Sequence, residues 1–405
     1  MYFKFKIICA AIFVATLSAT SITPNIQAAA LTNSDLLKLI EQQQAQIEEL
    51  KALIIKTNSK VEITETKVES AIDVIEDNLS TASTSNTQVG GYGELHYNNT
   101  DDGNQIDFHR FVMFFSHQFS DSVRFFSELE VEHALSGDGK PGEVELEQAY
   151  IETDLTASTT LKAGIFIIPV GIINETHEPP TFYGVERNPV EKNIIPATWW
   201  EGGVAFNTQF SDGWNADFAI HSGLSVPTSG SKSFLIRSGR QKVAKADANN
   251  LAYTARIKYT AIPGLELAAS VQIQDDITQG ELGLGATLLT AHAVYNKNNF
   301  GLKALYATWD IDDNDIFNQV EQSGRNQQSG YYLEPSYRIN QQWGIFARYN
   351  VWDNNAGNSI DSEKKQTNLG VNYWLHENVV IKFDWENQSG ISDGDAFNLG
   401  IGYQF

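Results

Sequence analysis

A charged, proline-rich segment from Asn174 to Gly203 holds the side chains best suited to select a solute. Carboxylates and cations that face each other across a narrow passage set up a transverse field, which selects by size and charge. We therefore expect this segment to fold into an aqueous lumen and narrow it, with a loop folded over the outside as the alternative. The side chains expected to face water at the constriction are Glu175, His177, Glu178, Glu186, Arg187, Glu191 and Lys192.

Neither this segment nor the rest of the chain carries a recognisable metal or catalytic motif. Glu175, His177 and Glu178 supply one imidazole and two carboxylates without a second cluster, which is little for a metal site. The acidic stretch 310–321 has some of the spacing of a calcium loop, but Asp315 stands where its sharp turn needs glycine. No G-x-S-x-G and no nucleotide-binding loop is present. We expect no catalysis, no metal and no cofactor.

The N-terminal part of the chain differs in composition from the remainder. Lys4 and Lys6 precede an apolar run at 7–19, and small residues at 25–30 suit a cleavage site, so residues 1–30 are predicted to be a signal peptide. Residues 31–80 are predicted to form a periplasmic coiled coil, because β-branched residues recur every seventh position from Ile40 to Ile75. A single amphipathic helix is the alternative. Residues 81–87 read as a flexible linker.

From residue 88 onward, short segments of alternating polarity predict a barrel. In the last segment, Phe397, Leu399 and Ile401 alternate with Asn398 and small residues, and the chain ends on an aromatic side chain. Sixteen such strands are predicted in the barrel domain 88–405: 88–98, 105–119, 123–135, 143–155, 159–171, 201–210, 214–224, 251–261, 265–276, 283–296, 299–311, 328–339, 342–354, 363–377, 378–389 and 395–405.

The connections between these strands favour a membrane barrel over a soluble sandwich. Tight turns, such as 120–122 and 211–213, are predicted to alternate strictly with longer loops, such as 172–200 and 225–250. Alternation of this kind with an even strand number is typical of outer-membrane barrels, and sixteen strands leave an aqueous lumen. The fold class is therefore an all-β, 16-stranded antiparallel transmembrane barrel preceded by a helical coiled coil.

The charge balance of the predicted pore wall favours cations. After residue 87 the chain keeps 21 Lys and Arg against 40 Asp and Glu, within a net charge of −22 that argues against nucleic-acid partners. The side chains assigned to the wall by alternation are Arg110, Arg124, Glu128, Glu130, Glu132, Arg256, Lys258, Arg338, Arg348, Lys382 and Asp384. The order ELEQAYIET in the fourth strand fits neither face of a regular strand. A basic cluster at 231–245 reads either as a vestibule or lipopolysaccharide contact, or as a solvated loop.

The stretch from Glu147 to Phe206 resembles the phosphate-selective porin O/P family of trimeric, sixteen-stranded channels. The resemblance rests on LKAGIFIIPVG, the start of the following loop at Asn174, the Arg187 to Val190 element, and IIPATWWEGG at the loop's end. It implies a passive outer-membrane channel that works as a trimer. The ladder of arginines and lysines that phosphate selection needs does not appear along the predicted wall.

These observations together predict a passive diffusion channel for small hydrophilic solutes and ions in the outer membrane of a Gram-negative bacterium. Weak cation preference or little preference is expected, with a phosphate or other anion channel as one alternative. A structural tether between the outer membrane and the cell wall is the other. The expected partners are outer-membrane lipid and lipopolysaccharide, two further copies of the chain in a homotrimer, and peptidoglycan through the coiled coil.

Overall fold

A computed structural model describes residues 86–280, 282–312 and 319–405. The predicted signal peptide, the coiled coil and residues 81–85 of the linker lie outside the described residues. Within the described ranges, no helix combines the length and the apolar character that a helical membrane span requires.

Sixteen antiparallel strands pair in sequence order, and β1 pairs with β16 to close the barrel, which confirms the predicted strand number. Every strand bound lies within four residues of its predicted position. The strands are β1 (Thr87–Thr100), β2 (Gly103–Ser120), β3 (Val123–Glu132), β4 (Val144–Thr156), β5 (Thr159–Ile167), β6 (Trp200–Ser211), β7 (Trp214–His221), β8 (Ala252–Tyr259), β9 (Leu265–Gln274), β10 (Ala286–Lys297), β11 (Phe300–Ile311), β12 (Gln327–Arg338), β13 (Trp343–Asp353), β14 (Lys364–His376), β15 (Val379–Gly390) and β16 (Gly394–Gln404).

The strands bury polar residues inside the barrel and expose apolar residues outside it. In β8, Tyr253 and Ile257 are exposed, while Thr254 and Arg256 are buried. An apolar outer band with a polar interior is the pattern of a barrel that faces lipid. Aromatic pairs reinforce the band near the short turns, where Trp214 packs on Tyr259 with ring centroids 4.7 Å apart. The alternation that predicted the strands therefore reports their two faces correctly.

The connections depart from strict alternation at two places. Most connections at one end are long, and the largest are the third loop (residues 168–199) and the fourth loop (residues 222–251). At the same end, however, β1 and β2 are joined by residues 101–102 alone, and β15 and β16 by residues 391–393. These two connections flank the barrel seam. Their shortness corrects the expectation that every connection at this end is long.

Inside the barrel, loop residues build a hydrophobic core. The sequence had predicted only charged wall residues that face water. Apolar side chains of the third and fourth loops pack against the inner faces of β10 to β13, where Trp309 and Leu305 of β11 are buried. The indole Nε1 of Trp309 donates to the backbone oxygen of Ile194, 2.8 Å away. Since this core occupies one side of the interior, open space is left on the other side. The principal loop residues of the core are Ile168, Val170, Val190, Ile194, Ile195, Trp199, Leu224, Val226, Phe234 and Ile236.

Candidate functional site

The third loop is shaped by a short helix, α1 (Pro189–Asn193). Asn188 caps α1 by accepting a hydrogen bond from the backbone N–H of Glu191 at 2.8 Å, and Pro189 supplies the fixed backbone angle that suits the first helical position. Gly171 faces this helix with a φ of +75°, and a Cβ there would lie 2.6 Å from a Glu191 carboxylate oxygen. The start of the loop therefore needs glycine at residue 171.

Glu191 holds the third loop together from its centre. Its side chain is fully buried, and its carboxylate accepts hydrogen bonds from the backbone N–H groups of Ile172 and Ile173 at 2.8 and 2.7 Å. It also accepts one from the Tyr332 hydroxyl of β12 at 2.8 Å. The placement of Glu191 corrects the expectation that it faces water: it joins the two arms of the loop and ties them to the wall.

From β5 the third loop reaches strands that lie far around the barrel. A single turn of 3-10 helix, Pro179–Thr181, contacts β1, β15 and β16. The backbone N–H of Val185 donates to Asp384 at 2.6 Å, and Arg348 donates to the backbone oxygen of Glu186 at 3.3 Å. At the near wall, Glu175 forms an ion pair with Arg256. Contacts on both sides of the interior therefore hold the segment inside the barrel.

The fourth loop brings two arginine side chains to the third loop. Arg237 donates to the backbone oxygens of Lys192 and Ala197 at 2.7 and 2.9 Å, and Arg240 donates to the backbone oxygen of Thr198. Arg187 of the third loop donates to the hydroxyl of the same Thr198. Three guanidinium groups therefore converge on Ala197 and Thr198.

A cavity of about 520 Å³ opens beside this group of cations. Its lining carries charges of both signs, with the loop cations facing carboxylates of β1, β3, β4 and β15. The basic residues of the lining are Arg110, Arg187, Lys192, Arg237, Arg240, Lys242 and Arg348. The acidic residues are Glu94, Glu132, Glu145, Glu147, Glu186 and Glu386.

Several carboxylates of the lining have a positively charged or histidine partner. Glu94 pairs with Arg110 at 2.7 Å, and Glu145 pairs with Lys242. Glu186 contacts His96 at 3.0 Å; burial opposes ionisation there, but the hydrogen bond and charge of His96 hold the pKa of Glu186 well below its usual range. These three carboxylates are therefore paired, whereas Glu132 and Glu386 form no ion pair within 4 Å in the described part of the chain.

Four cations of the lining lack such a partner. Among the described residues, Arg187, Lys192, Arg237 and Arg240 form no ion pair within 4 Å of a carboxylate. Desolvation by the surrounding loops lowers the pKa of Lys192 although its side chain is exposed beside the cavity, and the neighbouring Arg237 and Arg187 add to this effect against the attraction of Glu186. Burial and the charges of Arg240 and Arg187 lower the pKa of Arg237 in the same way. These four residues, the loop cation cluster, give the cavity a positive side.

The predicted constriction and wall residues fall into three groups. Six of them line the cavity: Arg110, Glu132, Glu186, Arg187, Lys192 and Arg348. Others are buried between the loop and the wall, because the loop packs directly onto the inner strand faces; these are Glu128, Glu130, His177, Glu191, Lys382 and Asp384. Their burial corrects the expectation that they face open water. The Lys382 ammonium, for example, lies 3.4 Å from the centroid of the Phe182 ring of the loop.

The third group lies away from the cavity. Towards the short turns, Arg124 pairs with Glu152 and Asp154, and Arg338 stacks on Trp374 at 3.6 Å. A smaller cavity near the same end of the barrel is lined by Glu175 and Lys258. Arg256, the ion-pair partner of Glu175, also pairs with Asp217 at 2.7 Å. Glu178 is half buried beside the single 3-10 turn of the loop.

Two parts of the lining, the fourth-loop arginines and Glu147, were not predicted from the sequence. A signal existed for each. The basic cluster at 231–245 contains Arg237, Arg240 and Lys242, which fold inward, while Lys232 and Lys245 stay exposed. The irregular alternation in β4 marks a bulge that places Glu147 inside the barrel.

Comparisons with known proteins agree with this architecture. The family described as "Phosphate-selective porin O and P" matches residues 86–389. An uncharacterized protein of Aquifex aeolicus (strain VF5) is 30% identical over 354 residues, which are 78% of this chain and 79% of that protein.

Solved structures share the fold at low sequence identity. An anion-selective porin from Comamonas acidovorans is similar with a TM-score of 0.57 and 14% identity, over 79% of this chain and 99% of that one. OmpF of Salmonella typhi, solved with daunomycin, is similar with a TM-score of 0.58 and 13% identity, over 79% and 97%. The outer-membrane channel DcaP of Acinetobacter baumannii gives 0.54 and 13%, also over 79% and 97%.

Proposed function

Because the chain belongs to the phosphate-selective porin O and P family and is a barrel of the Gram-negative outer membrane, we propose that it is a passive diffusion channel that prefers small anions. In this proposal the third and fourth loops narrow the lumen, and solutes pass through the cavity between the loop cation cluster and the acidic wall. The protein acts as a pore and not as an enzyme.

One observation carries the preference for anions: the loop cation cluster has free donors. Among the described residues, the Nε and Nη2 atoms of Arg187 and the Nε atom of Arg240 are buried without a hydrogen-bond partner. Buried guanidinium donors are costly when unpaired, and they match the oxygens of phosphate-like anions. Cation preference remains the second candidate, because acidic residues outnumber basic ones almost two to one after residue 87.

The zero-current potential in a planar bilayer under a salt gradient distinguishes these candidates. We expect stepwise conductance with a potential of the sign for anion preference, and we expect added phosphate to reduce the chloride current by competing for the cluster. A potential of the opposite sign would favour the second candidate, a channel whose acidic wall prefers cations. No conductance would favour the tether.

Alkaline pH is expected to weaken the anion preference. The pKa of Lys192 is lowered, mainly by desolvation, so its positive charge is lost at a lower pH than that of an ordinary lysine, whose pKa is about 10.4. Zero-current potentials measured between pH 7 and pH 10 should therefore move toward zero as pH rises. In Lys192→Met the preference at pH 7 should be smaller and its pH dependence flatter. An unchanged pH dependence in this variant would assign the effect to other groups.

The proposed partners follow from the barrel's exterior and its relatives. A homotrimer is supported by the trimer form named for a solved structure with a similar fold, the outer membrane protein OmpT of Vibrio cholerae. The apolar outer band takes lipid, and the exposed Lys232 and Lys245 of the fourth loop suit lipopolysaccharide phosphates. Contact with peptidoglycan would involve the predicted coiled coil.

A further inference from the structure

Three side chains with metal-binding atoms converge where the third loop meets the wall. Glu128 of β3, Glu147 of β4 and His177 of the third loop are each at most 2% exposed. Their ligand atoms lie within 4.8 Å of one another. Glu147 also borders the central cavity, which gives an ion a route to the group. His177 thus meets two wall carboxylates rather than its sequence neighbours Glu175 and Glu178.

A β-bulge brings Glu147 into this group. Glu128 is opposite Gln148 and Leu129 is opposite Leu146, so Glu147 is the extra residue on β4. A bulge re-aims side chains locally, and here Glu147 is buried while Gln148 donates to the second oxygen of Glu128 at 2.7 Å. The bulge therefore positions the carboxylate of Glu147, and the side-chain amide of Gln148 orients the carboxylate of Glu128.

The hydrogen bonds of His177 leave its other nitrogen facing the carboxylates. Nδ1 lies 3.1 Å from the backbone oxygen of Asn174, which can only accept, so Nδ1 carries the proton. Asn174 is itself fixed, since its side chain bonds the backbone at Ile168 and Trp199. Nε2 then faces Glu128 Oε1 at 3.3 Å and Glu147 Oε2 at 3.7 Å. A histidine that donates one N–H to a carbonyl and offers the other nitrogen is the usual arrangement of a metal ligand.

The carboxylates around His177 lack sufficient positive charge in the described part of the chain. Glu147 Oε2 and both carboxylate oxygens of Glu130 are buried with no hydrogen-bond partner among the described residues. Among the described residues, the only arginine or lysine within 4 Å of these carboxylates is Arg110, which reaches Glu130 at 3.6 Å and is already paired with Glu94 at 2.7 Å. Burying a carboxylate without a partner is strongly unfavourable. A cation among these three ligand atoms would remove that cost.

We propose that Glu128, Glu147 and His177 bind a divalent transition-metal ion, with Zn²⁺ as the best fit. Tetrahedral Zn²⁺ holds its nitrogen and oxygen ligands at about 2.0–2.2 Å, which places them roughly 3.4 Å apart. The separations of 3.3 and 3.7 Å need little adjustment to reach that geometry. One imidazole and two carboxylates suit Zn²⁺ better than calcium, which prefers an all-oxygen shell. A water molecule completes the fourth position.

A bound ion would join the third loop to β3 and β4. His177 lies between the loop's attachment at Glu175 and its contacts on β16, so the ion would fix the arm of the loop that leads to the cavity-lining residues from Val185 onward. The expected consequence is a quieter and more uniform conductance when zinc is present. This consequence rests on the proposed channel function, whereas zinc binding itself does not.

Calorimetric titration of Zn²⁺ into the folded, detergent-solubilised protein after chelator treatment tests the site. Wild type should bind zinc, and Glu147→Gln and His177→Gln should weaken binding at least about tenfold. Heat-modified mobility in gel electrophoresis checks that each variant keeps a folded barrel. Substitution by Co²⁺ adds a second readout, because a tetrahedral nitrogen and oxygen site gives visible absorption that both variants should lose.

A second histidine cluster supplies the control. Asp107, His109 and His133 also lie within metal-binding distance of one another but are partly exposed. His133→Gln should leave the high-affinity zinc site intact. Absence of zinc binding in folded wild type would overturn the proposal, as would loss of binding in His133→Gln but not in Glu147→Gln. In either case wild-type conductance, measured separately, would leave the channel proposal standing.

Discussion

Arg240→Glu is expected to shift the ion preference from anions toward cations by roughly fivefold in permeability ratio. The substitution changes the charge beside the cavity by two units, and an effect of about 1 kcal/mol is reasonable for charges within a Debye length of a passing ion. Arg240 suits this test because it lines the cavity without an ion-pair partner among the described residues. Its guanidinium also carries a buried nitrogen with no hydrogen bond.

The matched control for this prediction is Lys245→Glu. It introduces the same charge change in the same loop, but Lys245 is exposed and does not border the cavity. Zero-current potentials in a salt gradient should therefore move much less for Lys245→Glu than for Arg240→Glu. Arg240→Gln, which removes the charge and keeps a hydrogen-bond donor for the Thr198 oxygen, should fall between wild type and Arg240→Glu. Equal shifts in both Glu variants would show that the vestibule, not the cavity, sets the preference.

The strands could be predicted from the sequence because each one repeats a simple physical pattern. Lipid on one side and water or polar groups on the other impose a period of two, as in Phe397, Leu399 and Ile401 of β16. A departure from this alternation was also informative. The irregular order in β4 corresponds to the bulge at Glu147, whose extra residue exchanges the two faces of the strand.

The interior could not be predicted in the same way because it depends on which loops fold inward. Alternation assigns an inward residue to the lumen, but Trp309 of β11 faces the loop core rather than water. Glu191 illustrates the same limit: a charged residue in a polar loop reads as solvated, yet it is fully buried and hydrogen-bonded by the loop's own backbone. The basic cluster of the fourth loop left two interpretations open for the same reason. Only tertiary contacts separate its inward arginines from its exposed lysines.

Glu191→Ala is expected to produce the second large effect, a higher and noisier single-channel conductance. The substitution leaves the N–H groups of Ile172 and Ile173 and the Tyr332 hydroxyl without their acceptor in a buried site. Each unsatisfied buried donor costs about 1–3 kcal/mol, so the third loop should leave its packed position. The barrel should remain folded, since its strand pairing does not involve Glu191.

Single-channel recordings in planar bilayers measure this effect, and Glu178→Gln serves as the control. Glu178 lies in the same loop, is half buried, and makes no side-chain hydrogen bond among the described residues. The conductance of the Glu178→Gln channel should therefore match that of wild type. Glu191→Gln should have an intermediate effect, because its amide oxygen can still accept one or two of the three hydrogen bonds. If Glu191→Ala conducts with wild-type amplitude and noise, the third loop does not limit the current. The narrowest part of the pore would then lie at the fourth loop, where Arg240→Glu acts.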